Sequence, residues 1–186
     1  MKNFYKTRHK EIIKIINKID IKKLMKIEDL ILKTHELGGK VIICGNGGSA
    51  ATSSHFAVDL SLNAKIKSIN FNEADLITCF ANDFGYENWV KKSLEIYSNS
   101  SDLLILLSCS GNSKNLVNAN LFAKKKGLKV ITLTGCSKNN KLNKEKNILN
   151  IWVNSKKYNV IEIIHHHILL NVIDGLISKK YDLPKD

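Results

Sequence analysis

From Phe4 to Leu37, apolar residues recur at helical spacing: Ile12, Ile13, Ile16, Ile19, Leu24, Ile27, Leu30 and Ile31. The pattern predicts helix, with a break near Asp20 and a stop at Gly38-Gly39. A short apolar run, Val41 to Cys44, reads as a strand, Gly45 to Ser49 as a glycine loop and Ala50 to Leu62 as a helix. Lys67 to Asn70 is a weak strand, Asn72 is placed to cap a helix through Phe80, and Glu87 to Tyr97 forms another helix. The stretch Asp102 to Leu107, wholly apolar after its first residue, predicts a buried strand, followed by the polar loop Ser108 to Ser113. A helix from Lys114 to Lys126 ends at Gly127. Strands at Lys129 to Leu133 and Ile148 to Val153 precede a long apolar helix, Asn159 to Lys180.

Strands that alternate with helices of about 10–15 residues predict an α/β protein whose parallel sheet is covered on both faces. In such sheets ligands bind beyond the carboxyl ends of the strands. Both polar loops directly follow strands, so both belong to that edge. The chemistry is expected there.

Composition narrows the class. The chain has 186 residues, 44% apolar and 25% charged, with one proline and ten glycines. That suits one domain over 1–186, read as an N-terminal helical extension (1–37) and an α/β core (40–180). It excludes disorder and low-complexity chains. No unbroken apolar run approaches the roughly 20 residues of a membrane span, and Met1 to Lys10 lacks the apolar stretch of a secretory signal. The expectation is a soluble cytoplasmic protein with no membrane partner.

The net charge of +12 invites a nucleic-acid reading, but 28 lysines stand against one arginine, Arg8. Bidentate reading of guanine or phosphate favours arginine, and the lysines are dispersed along the chain. They read as solvated surface, with a lysine-rich polyanion binder as the minority reading. Cys44, Cys79, Cys109 and Cys136 have no CxxC spacing and read as reduced, mostly buried thiols.

Gly45-Asn46-Gly47-Gly48-Ser49 lacks the spacing of a dinucleotide fingerprint, and no acidic residue ends the next strand; nor is it a Walker loop. What survives is a tight turn that delivers Asn46, Gly47 and Ser49 to a polar ligand at a helix N-terminus. Ser108-Cys109-Ser110-Gly111-Asn112-Ser113 sets three hydroxyls and several N–H groups ahead of a helix, a combination that suits one phosphate. The plainer alternative is a serine N-cap and turn.

GNGGSA after a strand, then HFAxxL, CxANDxGY, SxSGNSxN and LTG, in that order, resemble the sugar isomerase (SIS) family and, more narrowly, its phosphoheptose isomerases. The likeness runs from about Gly39 to Ile177. It implies a three-layer fold around a parallel five-stranded, flavodoxin-like sheet. It also implies a phosphate cradle at Ser108, Ser110, Asn112 and Ser113, with Asn46, Gly47 and Ser49 contributing and Asp83 binding substrate. His55 matches a family zinc ligand. Asp59 stands where these isomerases carry a glutamate that serves as acid/base and ligand. His55 and Asp59 are four residues apart, about 40° on a helix, so both can reach one site.

The C-terminal helix carries Glu162, His165, His166 and His167. The family has a glutamine at Glu162, a histidine at His165 and a catalytic histidine at the position of Leu170. The missing histidine is the main departure. His166, four residues from Glu162, is placed to substitute, whereas His167 points away and reads as structural. The helix and Asp59 are similar to a subgroup linked to capsule and lipopolysaccharide synthesis. The resemblance therefore implies isomerisation of a sugar phosphate, sedoheptulose 7-phosphate to D-glycero-D-manno-heptose 7-phosphate, through an enediolate. Asp59 is the expected base and His165 or His166 its partner. Zinc would be held by His55, Asp59, Glu162 and His166. A homotetramer with sites between subunits is implied too. The rival is a non-catalytic SIS protein that binds a sugar phosphate, or a replication-initiator partner of the same fold.

Overall fold

The computed structural model describes residues 2–181, and the side chains of 3–179. Met1 and residues 182–186 of the expected domain lie outside the described residues. Two helices open the chain, α1 (Lys2–Ile16) and α2 (Ile21–Glu36). The break falls where the sequence places it: Asp20 caps α2, its side chain accepting from the N–H of Lys22.

Five strands follow: β1 (Val41–Gly45), β2 (Ser68–Ile69), β3 (Leu103–Ser108), β4 (Lys129–Thr134) and β5 (Leu149–Trp152). They form one parallel sheet in the order β2-β1-β3-β4-β5. This is the flavodoxin-like order, and the direction of winding reverses between β1 and β3. The connecting helices are α3 (Gly48–Leu62), α4 (Ala74–Phe84), α5 (Trp89–Tyr97), α6 (Lys114–Lys125), the short α7 (Lys141–Lys144) and the long α8 (Tyr158–Tyr181).

The period-two rule divides each central strand between two cores. Val41, Ile43, Leu103, Ile105, Leu107, Ile131 and Leu133 face α2, α3 and α8. Ile42, Cys44, Leu104, Leu106 and Val130 face α5 and α6. The N-terminal extension lies on the first of these faces, with Ile12, Ile15, Ile16 and Ile19 packed against that core. Helix α8 is long and apolar enough by length and composition to cross a membrane, but half of it is buried inside the domain, where it serves as a core helix.

Boundaries shift where side chains find other partners. Asn72 does not cap α4; its amide bonds Ala50 O and Ser54 Oγ of α3 at 2.9 and 2.8 Å, and the helix begins after Glu73. The turn α7 carries no apolar periodicity and escapes the sequence reading. It is fixed by Asn140, which accepts from the N–H of Asn143. At the amino edge of the sheet, buried Asp102 accepts from Lys40 N, Lys40 Nζ and Asn99 N at 2.6–2.9 Å, tying β1 to β3 away from the ligand edge.

Candidate active site

The loops after β1 and β3 meet at the point where the strand order reverses. Gly47, with φ of +55°, turns the chain from β1 into α3, a conformation that favours glycine. Asn46 and Asn115 form a reciprocal amide pair across the crevice, each donating to the other's oxygen at 3.1 and 2.8 Å. Tyr86 adds its hydroxyl to the same Asn46 oxygen at 3.1 Å. In this arrangement the Asn46 oxygen is taken twice, and one of its N–H groups has no partner among the described residues.

On the β3 side, Ser113 begins α6 but does not spend its hydroxyl on capping. The hydroxyl turns to Ser108 Oγ at 3.3 Å, and Ser108 also accepts from the N–H of Gly111. Two hydroxyls thus face one another at the N-terminus of a twelve-residue helix whose first N–H groups have no intrahelical partner. The plain serine-cap alternative does not hold. Ser110 and Asn112 close the loop on themselves, and Asn112 Oδ1 accepts from Lys141 N, so Asn112 acts on the shape of the cradle. Asp83 sits exposed at the end of α4, where it is bonded to Asn82 and Cys79 of its own helix. The segment that carries it reaches the site through Tyr86.

A second group of side chains lies between α3 and α8. His55 Nε2 meets Asp59 Oδ2 at 3.1 Å, and His55 Nδ1 meets His166 Nε2 at 3.1 Å. Thr52 Oγ1 stands 3.3 Å from His166 Nδ1. Glu162, one turn before His166, rests its carboxylate against Gly48. A Cβ there would come within 2.5–2.7 Å of the carboxylate, so glycine is what admits Glu162 to the N-terminus of α3. Together Gly48, Thr52, His55, Glu162, His166 and His167 line an open pocket of about 650 Å³. Buried Cys109 joins pocket to cradle: its sulfur is 3.9 Å from Glu162 Oε1 and 4.0 Å from Ser49 Oγ.

Burial and the neighbouring His55 hold the His166 imidazole below the usual histidine range, against the opposing pull of Asp59. Burial pushes the Cys109 thiol up to about 11, opposed by the Ser49 bond and reinforced by Glu162.

Two expectations change. His165 was expected beside His166 in the chemistry, but it is 1% exposed and points into the core, its Nε2 3.3 Å from Thr134 O. Adjacent residues on a helix diverge by about 100°, and with His166 turned to His55 the His165 ring falls on the core side of α8. His167, read as structural, sits on the pocket rim and bonds Asn171. Leu170, at the family's histidine position, packs against the core.

The expected zinc set does not fit this arrangement. Zinc requires lone pairs that meet at one point about 2 Å from each donor. His55 gives one nitrogen to Asp59 and the other to His166, so its ring lies between two partners and not at the edge of a shared centre. Glu162 faces Gly48 and Cys109. Among the described residues, no three His, Cys, Asp or Glu side chains converge as a metal set.

Asn115 and Tyr86 join the site although no expectation from the sequence names them. Both stood inside the motifs, as the last asparagine of SxSGNSxN and the tyrosine of CxANDxGY. A polar side chain in the first turn of a helix that follows a buried strand was the available signal.

Comparison with known proteins agrees with the fold. The SIS domain pattern matches residues 4–135, and the chain belongs to the SIS domain family. A phosphoheptose isomerase of Haemophilus ducreyi is 42% identical over 111 residues, 57% of this chain and 57% of that protein. One from Helicobacter pylori is 40% identical over 112 residues, 57% of this chain and 58% of that protein. These alignments therefore span little more than half of the relatives' length. Among solved structures, a phosphoheptose isomerase from Francisella tularensis superposes with a TM-score of 0.86 at 26% identity, covering 96% of each chain. The phosphoheptose isomerase GmhA from Neisseria gonorrhoeae has a TM-score of 0.86 at 24% identity, covering 94% of this chain and 98% of that one, and supports the fold.

Proposed function

We propose that this chain is an aldose–ketose isomerase of sugar phosphates, converting sedoheptulose 7-phosphate to D-glycero-D-manno-heptose 7-phosphate. The observation that carries this reading is the junction at the switch point. A hydroxyl-lined helix N-terminus at Ser108 and Ser113 adjoins, through Cys109, a pocket that holds a carboxylate and three imidazoles. The first suits a phosphate. The second suits proton transfer between adjacent sugar carbons, which needs a positioned base and a partner that can pass a proton on. Glu162 and His166 are the groups so placed, and half-buried Asn46 offers its amide to the sugar, whereas Ser49 is buried with its hydroxyl against the Cys109 sulfur.

The reading extends to a cytoplasmic homotetramer with sites between subunits that serves surface-polysaccharide heptose synthesis. Exposed Phe4, Tyr5 and Ile13 on α1 support assembly, since apolar side chains on an outer helix favour a partner. Light scattering that gives a monomer would remove that part. Zinc at His55 would require its ring to turn until one nitrogen lone pair faced a point shared with Asp59 and His166.

The decisive assay incubates the purified protein with sedoheptulose 7-phosphate and follows aldose formation, with a panel of other ketose phosphates alongside. Turnover is expected. Phosphate binding without turnover on any of them would favour the second reading, a non-catalytic sugar-phosphate binder, which Leu170, partly buried against the core, supports.

A further inference from the structure

The disagreement between the expected zinc ligands and their positions has its own chemical content. Four polar side chains form a single file: Asp59, His55, His166 and Thr52. When each imidazole carries one proton, every link is satisfied in one direction. Thr52 Oγ1–H donates to His166 Nδ1, His166 Nε2–H donates to His55 Nδ1, and His55 Nε2–H donates to Asp59 Oδ2. No ring nitrogen is left over for a metal. Thr52, His55 and His166 line the pocket, whereas Asp59 stands behind His55.

We infer that this chain uses the file as a metal-independent proton relay, in which Thr52 and His166 meet the substrate and Asp59 is a positioning carboxylate at the far end. A sugar hydroxyl gives its proton to Thr52 Oγ1 as the Thr52 proton passes to His166 Nδ1. The Nε2 proton of His166 passes to His55 Nδ1, and the Nε2 proton of His55 passes to Asp59. The sugar oxygen ends deprotonated and Asp59 neutral. Each ring has gained one proton and lost one, so no imidazolium is left between the helices. The reverse sequence returns the proton to the neighbouring oxygen.

The arrangement accounts for two departures at once. Leu170 removes a histidine from the helix face one turn further on, and His166 reaches His55 from the turn that remains. Aspartate, shorter than glutamate by one methylene, stops at His55 and leaves the pocket open. The carbon-bound proton falls to Glu162, the carboxylate that lines the pocket.

The catalytic part of this inference rests on the isomerase reading; the relay and the absence of a metal requirement do not, and they are measured separately. The full-length protein, purified without chelator, is analysed for metal and titrated with zinc at neutral pH. Less than about one bound zinc per ten chains is expected, and retention near one per chain would overturn the inference. In parallel, nitrogen-15 spectra of the histidine rings should show both His55 and His166 as Nε2–H tautomers. An Nδ1–H tautomer at either ring breaks the file. In Asp59→Ala, the His166 ring signals should move although Asp59 does not touch that ring, whereas unchanged signals would count Asp59 out of the relay. If the wild type turns substrate over, His166→Ala should slow it by roughly 10²–10⁴-fold, and EDTA should leave the rate unchanged. A wild type without turnover ends the isomerase reading, while the metal and tautomer results still decide the relay.

Discussion

At the scale of single residues, the most constrained polar atom at the ligand edge is the Asn46 amide. Its oxygen accepts from both Asn115 and Tyr86, which come from separate elements, so one side chain fastens three segments at the crevice. The two donors differ in burial, and that separates their effects. Tyr86 is exposed, so Tyr86→Phe should leave stability within about 0.5 kcal/mol of wild type. The lost bond should weaken phosphate-ester binding by about 1 kcal/mol, read by isothermal titration. Asn115→Ala removes a buried side chain and its paired amide bonds, leaving half-buried Asn46 without that partner, and should cost about 1 kcal/mol in urea unfolding as well. Equal effects of the two variants on stability would contradict the assignment. Residue types in sequence named Asn46, Ser49, Ser108 and Ser113 because hydroxyls and amides after strands have few structural uses. Sequence cannot show which of several serines and asparagines turn inward, since that depends on the angle at which α6 leaves β3.

At the scale of elements, α8 divides its histidines among core, pocket and rim. His165 is neutral by environment: burial pushes it down from 6.5 to about 4, against its bond to Thr134 O. The folded state therefore resists protonation, and between pH 6.5 and 4 the unfolded chain binds the extra proton. The stability associated with neutral His165 is complete above pH 6.5 and declines as pH falls towards 4, by on the order of 3 kcal/mol. Denaturant melts of wild type and His165→Gln across that range check it: the variant should show a flatter acid limb. The strands were legible because a run such as Leu103 to Leu107 has no alternative to a buried position. Element ends were less so. Asn72 has the chemistry of a helix cap and spends it on α3, a tertiary choice that no local window contains. The helical positions of Glu162, His165 and His166 were legible, but the rotation of α8 against α3 was not, and that rotation sends His166 to His55 and His165 inward.

At the scale of the whole molecule, the reversal of strand order between β1 and β3 explains why two loops more than sixty residues apart act together. Alternating strands and helices foretold the parallel sheet and its ligand edge; the strand order came with the family resemblance, since periodicity says nothing about which strands are neighbours. The charge of +12 is a property of the surface taken together. Lysines pair with acids in a few places, such as Lys124 with Glu145 and Lys157 with Glu11, but basic groups outnumber acidic ones 29 to 17. Net self-repulsion should ease with screening, so the melting temperature should rise by a few degrees between low salt and about 0.5 M sodium chloride. A fall over that range would mean that surface ion pairs outweigh the repulsion.

Cys109, wedged between the phosphate cradle and the pocket, has a consequence for the chemical durability of the site. Nucleophilic attack by sulfur needs the thiolate, and a thiol pushed up to about 11 forms almost none at neutral pH. Cys44 is buried and pushed up further, while Cys79 stands exposed on α4. Electrophiles and mild oxidants should therefore spend themselves on Cys79, leaving the sulfur at the centre of the crevice as a small, inert spacer.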